Sequence, residues 1–200
     1  MPSTELRNGI KCNQTFKNKP MTRIYPGMLD SSIEYFNSGH EVMMIQNGTV
    51  KNFNDVPNHP ELAKIIAEEN DLNEIMQQWF GDNEFMKQKT LAKCRFGALN
   101  FFADINEDEV TPDHLTCPFR GKCSGENIIC KPVQINGETV TLEEITILKE
   151  VCGDDTNTNI AKKLGYAQGT FNVKKSNLYD RLGFNTKQHA VLTLLFEGLL

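Results

Sequence analysis

Six cysteines occur in this chain of 200 residues, and four of them lie in one short stretch. They are Cys94, Cys117, Cys123 and Cys130, with the spacing C-x22-C-x5-C-x6-C. Four thiolates are the ligand set of tetrahedral zinc or of a small iron–sulfur cluster. The stretch therefore predicts a metal site, with zinc as the preferred metal. An iron–sulfur cluster, or four thiols that bind no metal, are the alternatives.

Cations border these cysteines, at Arg95, Arg120, Lys122 and Lys131. Positive charges there would stabilise thiolates or donate bonds to the sulfur atoms. The run Cys-Pro-Phe-Arg-x-x-Cys also resembles the last cysteine pair of WhiB-like iron–sulfur regulators. The C-x2-C that precedes this pair in that family is absent here, so zinc stays the preferred expectation.

The rest of the chain indicates a compartment. Residues 1–10 are polar, unlike a signal peptide, and no run approaches the roughly 18–20 apolar residues of a membrane helix. We therefore expect a cytoplasmic protein without membrane contact. Thiols in a reducing compartment bind metals or stay free and do not form disulfides. Cys12 and Cys152 lie outside the cluster, and Cys152 is expected in a helix core.

Charge is distributed unevenly along the chain. The formal net charge is −5, which taken alone argues against a nucleic-acid partner. Residues 138–155 hold one lysine and six acids, for a net −5, whereas residues 156–190 hold six cations and one acid, for a net +5. A local positive field can attract a polyanion even when the whole chain is acidic.

Helical spacing of apolar residues dominates the last sixty residues. One helix is predicted from Leu142 to Cys152, and a second is capped by Asp155 or Thr156. A third starts near Thr170 after a short glycine-containing turn and ends at Gly183. The fourth runs over residues 187–196. Four helices with a short turn between the second and third predict a helix-turn-helix.

The run NTNIAKKLGYAQGTFNVKKSNLYDRLGFNTKQHAV resembles the LuxR-type (GerE) DNA-binding domain. The positions that match the family are Asn157, Ile160, Ala161, Leu164, Thr170, Asn177, Leu182, Gly183 and Ala190. The resemblance covers about 60 residues and implies a recognition helix in the major groove of double-stranded DNA. Asn172 replaces the usual lysine, and Lys174 the usual histidine. The base preference of the family therefore does not carry over.

The resemblance also implies which residues touch DNA. The implied DNA-binding residues are Thr158, Thr170, Asn172, Val173, Lys174, Lys175, Ser176 and Lys187. Asn172, Val173 and Ser176 would face the bases, and the lysines would contact phosphates. The last helix often forms the dimer face in this family. Val191 and Leu195 would then join a homodimer, with packing inside the domain as the alternative.

The first ninety residues carry weaker signals. Asn47-Gly48 and Asn136-Gly137 each predict a β-hairpin, and helices are predicted after Pro60 and around Leu72. The predicted fold class is α+β. We divide it into a small mixed N-terminal region (1–93), a cysteine-rich segment with a linker hairpin (94–137) and an all-α helix-turn-helix domain (138–200).

No catalytic motif accompanies these elements. A glycine-rich phosphate loop, a G-x-S-x-G turn and a His-Glu-x-x-His helix are all missing from the sequence. The four histidines are scattered, and no paired carboxylate is suggested by spacing. We therefore expect a DNA-binding transcription regulator of bacterial or phage type, with an upstream metal site, and not an enzyme. The alternative is a protein-interaction module with a degenerate helix-turn-helix.

Overall fold

The computed structural model describes residues 23–115 and 117–200. Cys12 and the polar start of the chain lie outside the described residues. The described part is an α+β fold, in which helices pack beside two small antiparallel sheets. Its buried apolar side chains form two clusters, one over residues 33–129 and one over residues 133–199.

The first cluster is built on a three-stranded sheet in the order β1-β2-β3. The strands are β1 (Glu34–Ser38), β2 (Glu41–Gln46) and β3 (Thr49–Asn52), followed by a short 3-10 turn at Phe53–Asp55. Asn47 and Gly48 both have positive φ, as a two-residue hairpin turn requires, and Gln46 pairs with Thr49 across it. The hairpin predicted at this Asn-Gly pair is confirmed.

Three helices share the core of this sheet, and they are α1 (Pro60–Glu68), α2 (Asn70–Phe80) and α3 (Glu84–Arg95). Helix α3 packs on β1 and β2, and α1 and α2 pack on α3. Pro60 occupies the first turn of α1, where its missing N–H costs nothing. The sequence did not predict α3, because its buried face includes the polar Lys87, Gln88 and Arg95. Trp79, near the end of α2, is 37% exposed.

The second cluster combines a hairpin with four helices. Its elements are β4 (Gln134–Ile135), β5 (Glu138–Thr139), α4 (Leu142–Cys152), α5 (Asn157–Lys163), α6 (Gln168–Leu182) and α7 (Lys187–Phe196). Thr141 and Glu144 form a capping box at the start of α4. Thr156 caps α5, as one of the two expected residues. The predicted hairpin at Asn136-Gly137 and all four helices are confirmed.

The two clusters meet where the end of α7 reaches the segment around residues 97–115. His114 Nε2 lies 3.4 Å from Glu197 Oε2. The rings of Phe101 and Phe196 pack edge to face with their centroids 5.5 Å apart. These contacts join the C-terminal helices to the sheet-containing part of the molecule.

Candidate nucleic-acid interface and cysteine cavity

Helix α6 is anchored by three apolar side chains on one face. Phe171, Leu178 and Leu182 are each at most 3% exposed. The helix begins at Gln168, two residues before the predicted start, because the turn closes early through the bond from Tyr166 N–H to Ala161 O. It ends at Gly183, whose φ of 71° is the left-handed conformation that glycine adopts at low cost.

The opposite face of α6 is open. Asn172, Val173 and Ser176 are exposed, and steps of about 100° per residue place them together, away from the buried Phe171. Val173 is 60% exposed, an unusual position for an apolar side chain. Such a face can offer an amide and a hydroxyl to base edges and a methyl surface to a thymine methyl.

A polar cleft of about 550 Å³ runs beside this face. Lys175 and Lys187 line it together with Asn157, Asn172 and Thr186, which caps α7. Backbone N–H groups at a helix start and two ammonium groups favour an anion such as a phosphate. Two further implied DNA contacts, Thr158 and Thr170, are both exposed.

The acidic and basic segments are paired with each other. Lys174 Nζ lies 2.7 Å from Glu143 Oε1, and Lys163 Nζ lies 2.6 Å from Glu150 Oε2. Arg181 is paired with Glu144. The hydrogen bond from Lys174 lowers the pKa of Glu143 and raises the pKa of Lys174 itself. Helix α4 therefore neutralises part of the positive charge that the sequence placed in residues 156–190.

Hydrogen bonds join the hairpin β4–β5 to the C-terminal end of α6. Asn136 Nδ2 donates to Leu182 O at 2.8 Å, and Arg181 donates to Thr139 O at 2.8 Å. Val133 and Ile135 are buried in the same cluster as α6. The segment that follows the cysteines thus helps to hold α6 in place.

Helix α7 packs against α4, and its two proposed dimer residues, Val191 and Leu195, are half-buried. Leu192 and Phe196 are more exposed, at 53% and 47%. An apolar strip on this helix is therefore accessible beside the residues that the sequence singled out.

The four clustered cysteines all line one cavity, which we call the cysteine cavity. Its volume is about 750 Å³, and its lining includes Cys94, Cys117, Cys123 and Cys130 as well as apolar side chains such as Trp79 and Ile129. Cys94 lies in the last turn of α3, and the other three lie in the cysteine loop, residues 117–130. The chain thus brings together the set that the sequence selected.

The four thiols do not converge on a single point. Among residues 23–115 and 117–200, no group of three or more His, Cys, Asp or Glu side chains is placed to hold a metal ion. Burial raises the pKa of Cys94 to about 11, and the neighbouring Cys130, Cys117 and Cys123 add to this. The other three thiols therefore lie close enough to Cys94 to affect its ionisation, although the four do not meet at one point.

The cations near the cysteines hold the cysteine loop in place through hydrogen bonds and ion pairs. Arg95, 1% exposed, donates to the carbonyl oxygens of Ile128 and Ile129 at 2.7 Å and is paired with Glu69. Lys131 Nζ lies 2.9 Å from Glu69. Arg120, which lines the cavity, donates to Lys131 O at 2.9 Å. In the structure these residues bind carboxylates and carbonyls, where the sequence suggested bonds to sulfur.

Three carboxyl groups are buried together, although the sequence did not predict this cluster. Glu34, Asp104 and Asp113 are at most 3% exposed, and Asn100 bonds to two of them, Glu34 and Asp113. Burial raises the pKa of Glu34 to about 9 and that of Asp113 to about 7, and also raises that of Asp104. In the sequence, Glu34 lies 70 residues from Asp104 and 79 from Asp113, so no spacing motif could reveal the group.

The comparisons with known proteins concern the C-terminal part. Residues 138–194 match the family model described as GerE, bacterial regulatory proteins of the luxR family. We found no curated protein and no solved structure that matches the chain. No helix in the described part is long and apolar enough to cross a membrane. The C-terminal region of this chain is therefore a LuxR-type helix-turn-helix domain, the DNA-binding domain of transcription regulators.

Proposed function

We propose that this protein is a transcription regulator that places α6 in the major groove and reads bases with Asn172, Val173 and Ser176. The observation that carries the proposal is the open face of α6, where Val173 is 60% exposed although the opposite face is anchored in the core. An apolar side chain held on a rigid helix suits contact with a thymine methyl. Asn172 can pair with an adenine edge.

Phosphate contacts would fix the helix in the groove. Lys175, Lys187 and the start of α7 line the polar cleft on one side of the recognition face. Thr158 and Thr170 add hydroxyl groups, and Lys174 would exchange Glu143 for a phosphate. This exchange is inexpensive because exposed ion pairs contribute little free energy.

A salt-series binding assay tests the proposal. The logarithm of the binding constant should fall linearly with the logarithm of salt concentration, by about 0.9 for each phosphate neutralised. The double variant Lys174→Gln/Lys175→Gln should lower this slope by about 1 to 2, because the Glu143 carboxylate regains counterions when Lys174 leaves it for a phosphate. The matched control is Lys64→Gln/Lys89→Gln, which removes the same charge from α1 and α3 and should leave the slope unchanged. Absence of binding at low salt would favour the protein-interaction module.

We further propose that Cys94, Cys117, Cys123 and Cys130 form a structural or sensory metal site upstream of the DNA-binding domain. The support is that all four line the cysteine cavity. Thiolate ligands select soft or borderline metals, which leaves zinc and iron–sulfur clusters as the candidates. Metal analysis of the purified protein tests the site.

A homodimer through α7 completes the proposal. Val191 and Leu195 would contribute their half-exposed surfaces, beside the exposed Leu192 and Phe196. Sedimentation of the full chain should show a dimer that Leu192→Glu dissociates. A monomer at the concentrations that bind DNA would exclude this arrangement.

A further inference from the structure

We propose that the cysteine cavity holds an iron–sulfur cluster and not a single zinc ion. This inference rests on the proposed metal site and specifies what that site binds. It follows from two facts about the same residues. The four thiols border one cavity of about 750 Å³, and no three metal-binding side chains in the described residues are grouped around one ion.

The two metal groups require different arrangements of sulfur. Zinc binds four thiolates at about 2.3 Å from one centre, so its ligands lie roughly 4 Å from each other. A cluster is bound at its corners, so the ligand sulfurs stand farther apart and surround the inorganic core. Four thiols that line a shared cavity without converging match the second arrangement.

Hydrogen bonds and ion pairs fix the backbone segments that carry the thiols. Cys94 is fixed in the last turn of α3, and the adjacent Arg95 holds the cysteine loop by the carbonyls of Ile128 and Ile129. Glu69 forms ion pairs with both Arg95 and Lys131. Both anchors act on the backbone that joins Cys123 to Cys130 and continues past it. These contacts therefore fix the backbone that carries Cys130 relative to Cys94 and α3.

The wall of the cavity suits a cluster. Trp79 and Ile129 line it, and a side chain at Gly125 would come within 2.9 Å of Trp79 and 2.6 Å of Ile129. The loop backbone therefore approaches the indole closely. Apolar walls limit water access to a cluster and help to set its potential.

The charges around the cavity have the sign that a cluster with four thiolates needs. Its charged lining residues are Lys93, Arg120, Lys122 and Glu126. Arg120 is paired with Glu126 at 3.7 Å, which leaves a positive excess from the two lysines. Four thiolates around an iron–sulfur core carry net negative charge, and nearby cations offset it. On binding, each thiol loses its proton to solvent as its sulfur bonds to iron, with no change of oxidation state.

Anaerobic reconstitution of the full chain tests the proposal. The purified protein is incubated with equal amounts of ferrous and ferric iron and with sulfide, so that cluster assembly needs no oxidant, and in parallel with zinc alone. It is then desalted. We expect about two or four iron atoms per chain with an equal amount of acid-labile sulfide, and visible sulfur-to-iron absorbance. The variant Cys123→Ala should lose this uptake. Cys152→Ala should keep it, because Cys152 lies in α4 beside the second core.

The possible outcomes of this experiment distinguish the iron–sulfur cluster from the metal site in general. One zinc per chain without iron or sulfide uptake would overturn the cluster and leave the metal site standing. No bound metal, or equal iron in wild type and Cys123→Ala, would overturn both. Stoichiometry in the wild type decides even when a variant folds poorly, as circular dichroism would reveal. The salt-series DNA assay reports on α6 separately, so its failure is distinguishable from a failure here.

Discussion

Lys174 Nζ on helix α6 lies 2.7 Å from Glu143 Oε1 on α4. The same Glu143 oxygen accepts the hydroxyl of Tyr166 at 2.5 Å. A cation that the LuxR resemblance assigns to DNA is thus engaged by an acidic side chain of the same domain. Binding of DNA through Lys174 requires this pair to open.

Glu143→Gln should strengthen DNA binding. The substitution removes the competing carboxylate and one negative charge near the phosphates, so we expect an increase of up to about fivefold at low salt. Electrophoretic or anisotropy titrations measure it. Glu68→Gln is the control, since Glu68 pairs with Lys64 on α1, away from the recognition helix. Equal affinity of wild type and Glu143→Gln would show that the pair does not compete.

Phe171 and Val173 should respond to alanine in opposite ways. Phe171 is fully buried, so Phe171→Ala should lower the free energy of unfolding by about 3–5 kcal/mol. Val173 is 60% exposed, so Val173→Ala should change stability by less than about 0.5 kcal/mol. Its effect should be on DNA affinity instead. Denaturant unfolding and DNA titration of both variants separate the outcomes, and a stable Val173→Ala with unaltered binding would remove Val173 from the base contacts.

Asn136→Gly tests the link between hairpin and recognition helix. Glycine keeps the positive φ of 52° at this position but removes the bond to Leu182 O. We expect a loss of about 1 kcal/mol in stability and weaker DNA binding. Asn47→Gly is the matched control, because Asn47 has a φ of 50° in the hairpin of the other sheet. If both variants bind DNA as wild type does, the hairpin does not position α6.

Stability should fall as pH rises from mildly acidic to mildly alkaline values. The pKa of Glu34 is raised from about 4.5 to about 9, so the folded state keeps a proton that the unfolded chain has lost. Asp113, with a pKa of about 7, contributes in the lower part of this window, and Asp104 acts in the same direction. Each such group costs up to about 1.4 kcal/mol per pH unit within its window.

Urea unfolding between about pH 5 and pH 9 measures this dependence. Glu34→Gln cannot ionise, so its stability should change less with pH than that of the wild type. The exposed Glu107 provides the control Glu107→Gln, which should retain the wild-type slope. A wild-type protein whose stability is level across this range would contradict the assignment of buried, protonated carboxyls.

The sequence predicted what local rules determine. Asn47-Gly48 and Asn136-Gly137 produced hairpins because only a few residue types adopt positive φ at both turn positions. Thr156 and Gly183 marked helix ends through the hydrogen bonds and backbone geometry that caps require. The cysteines were found by residue type alone, and the structure placed all four on one cavity.

The features that the sequence did not predict depend on packing between distant segments of the chain. Helix α3 was not predicted because its buried positions hold Lys87 and Arg95, which interrupt the apolar period. Their charges are neutralised by Glu84 in the same helix and by Glu69, respectively. The buried carboxyls come from distant segments, so their meeting depends on the tertiary fold. Charge counting identified the acidic and basic segments but could not show that Glu143 and Glu150 bind Lys174 and Lys163.

The pairing of α4 with α6 also affects how the protein would search a genome. Affinity for arbitrary DNA comes mainly from the release of counterions as phosphates are neutralised. When Lys174 leaves Glu143 for a phosphate, the freed carboxylate gathers counterions again, so fewer ions are released overall. Contacts of Asn172 and Val173 with bases do not bear this cost. Helix α4 therefore lowers the affinity for random and for correct sites by a similar factor. Because random DNA offers little besides phosphate contacts, we expect binding to random sequences to become negligible at a lower salt concentration than binding to a correct site.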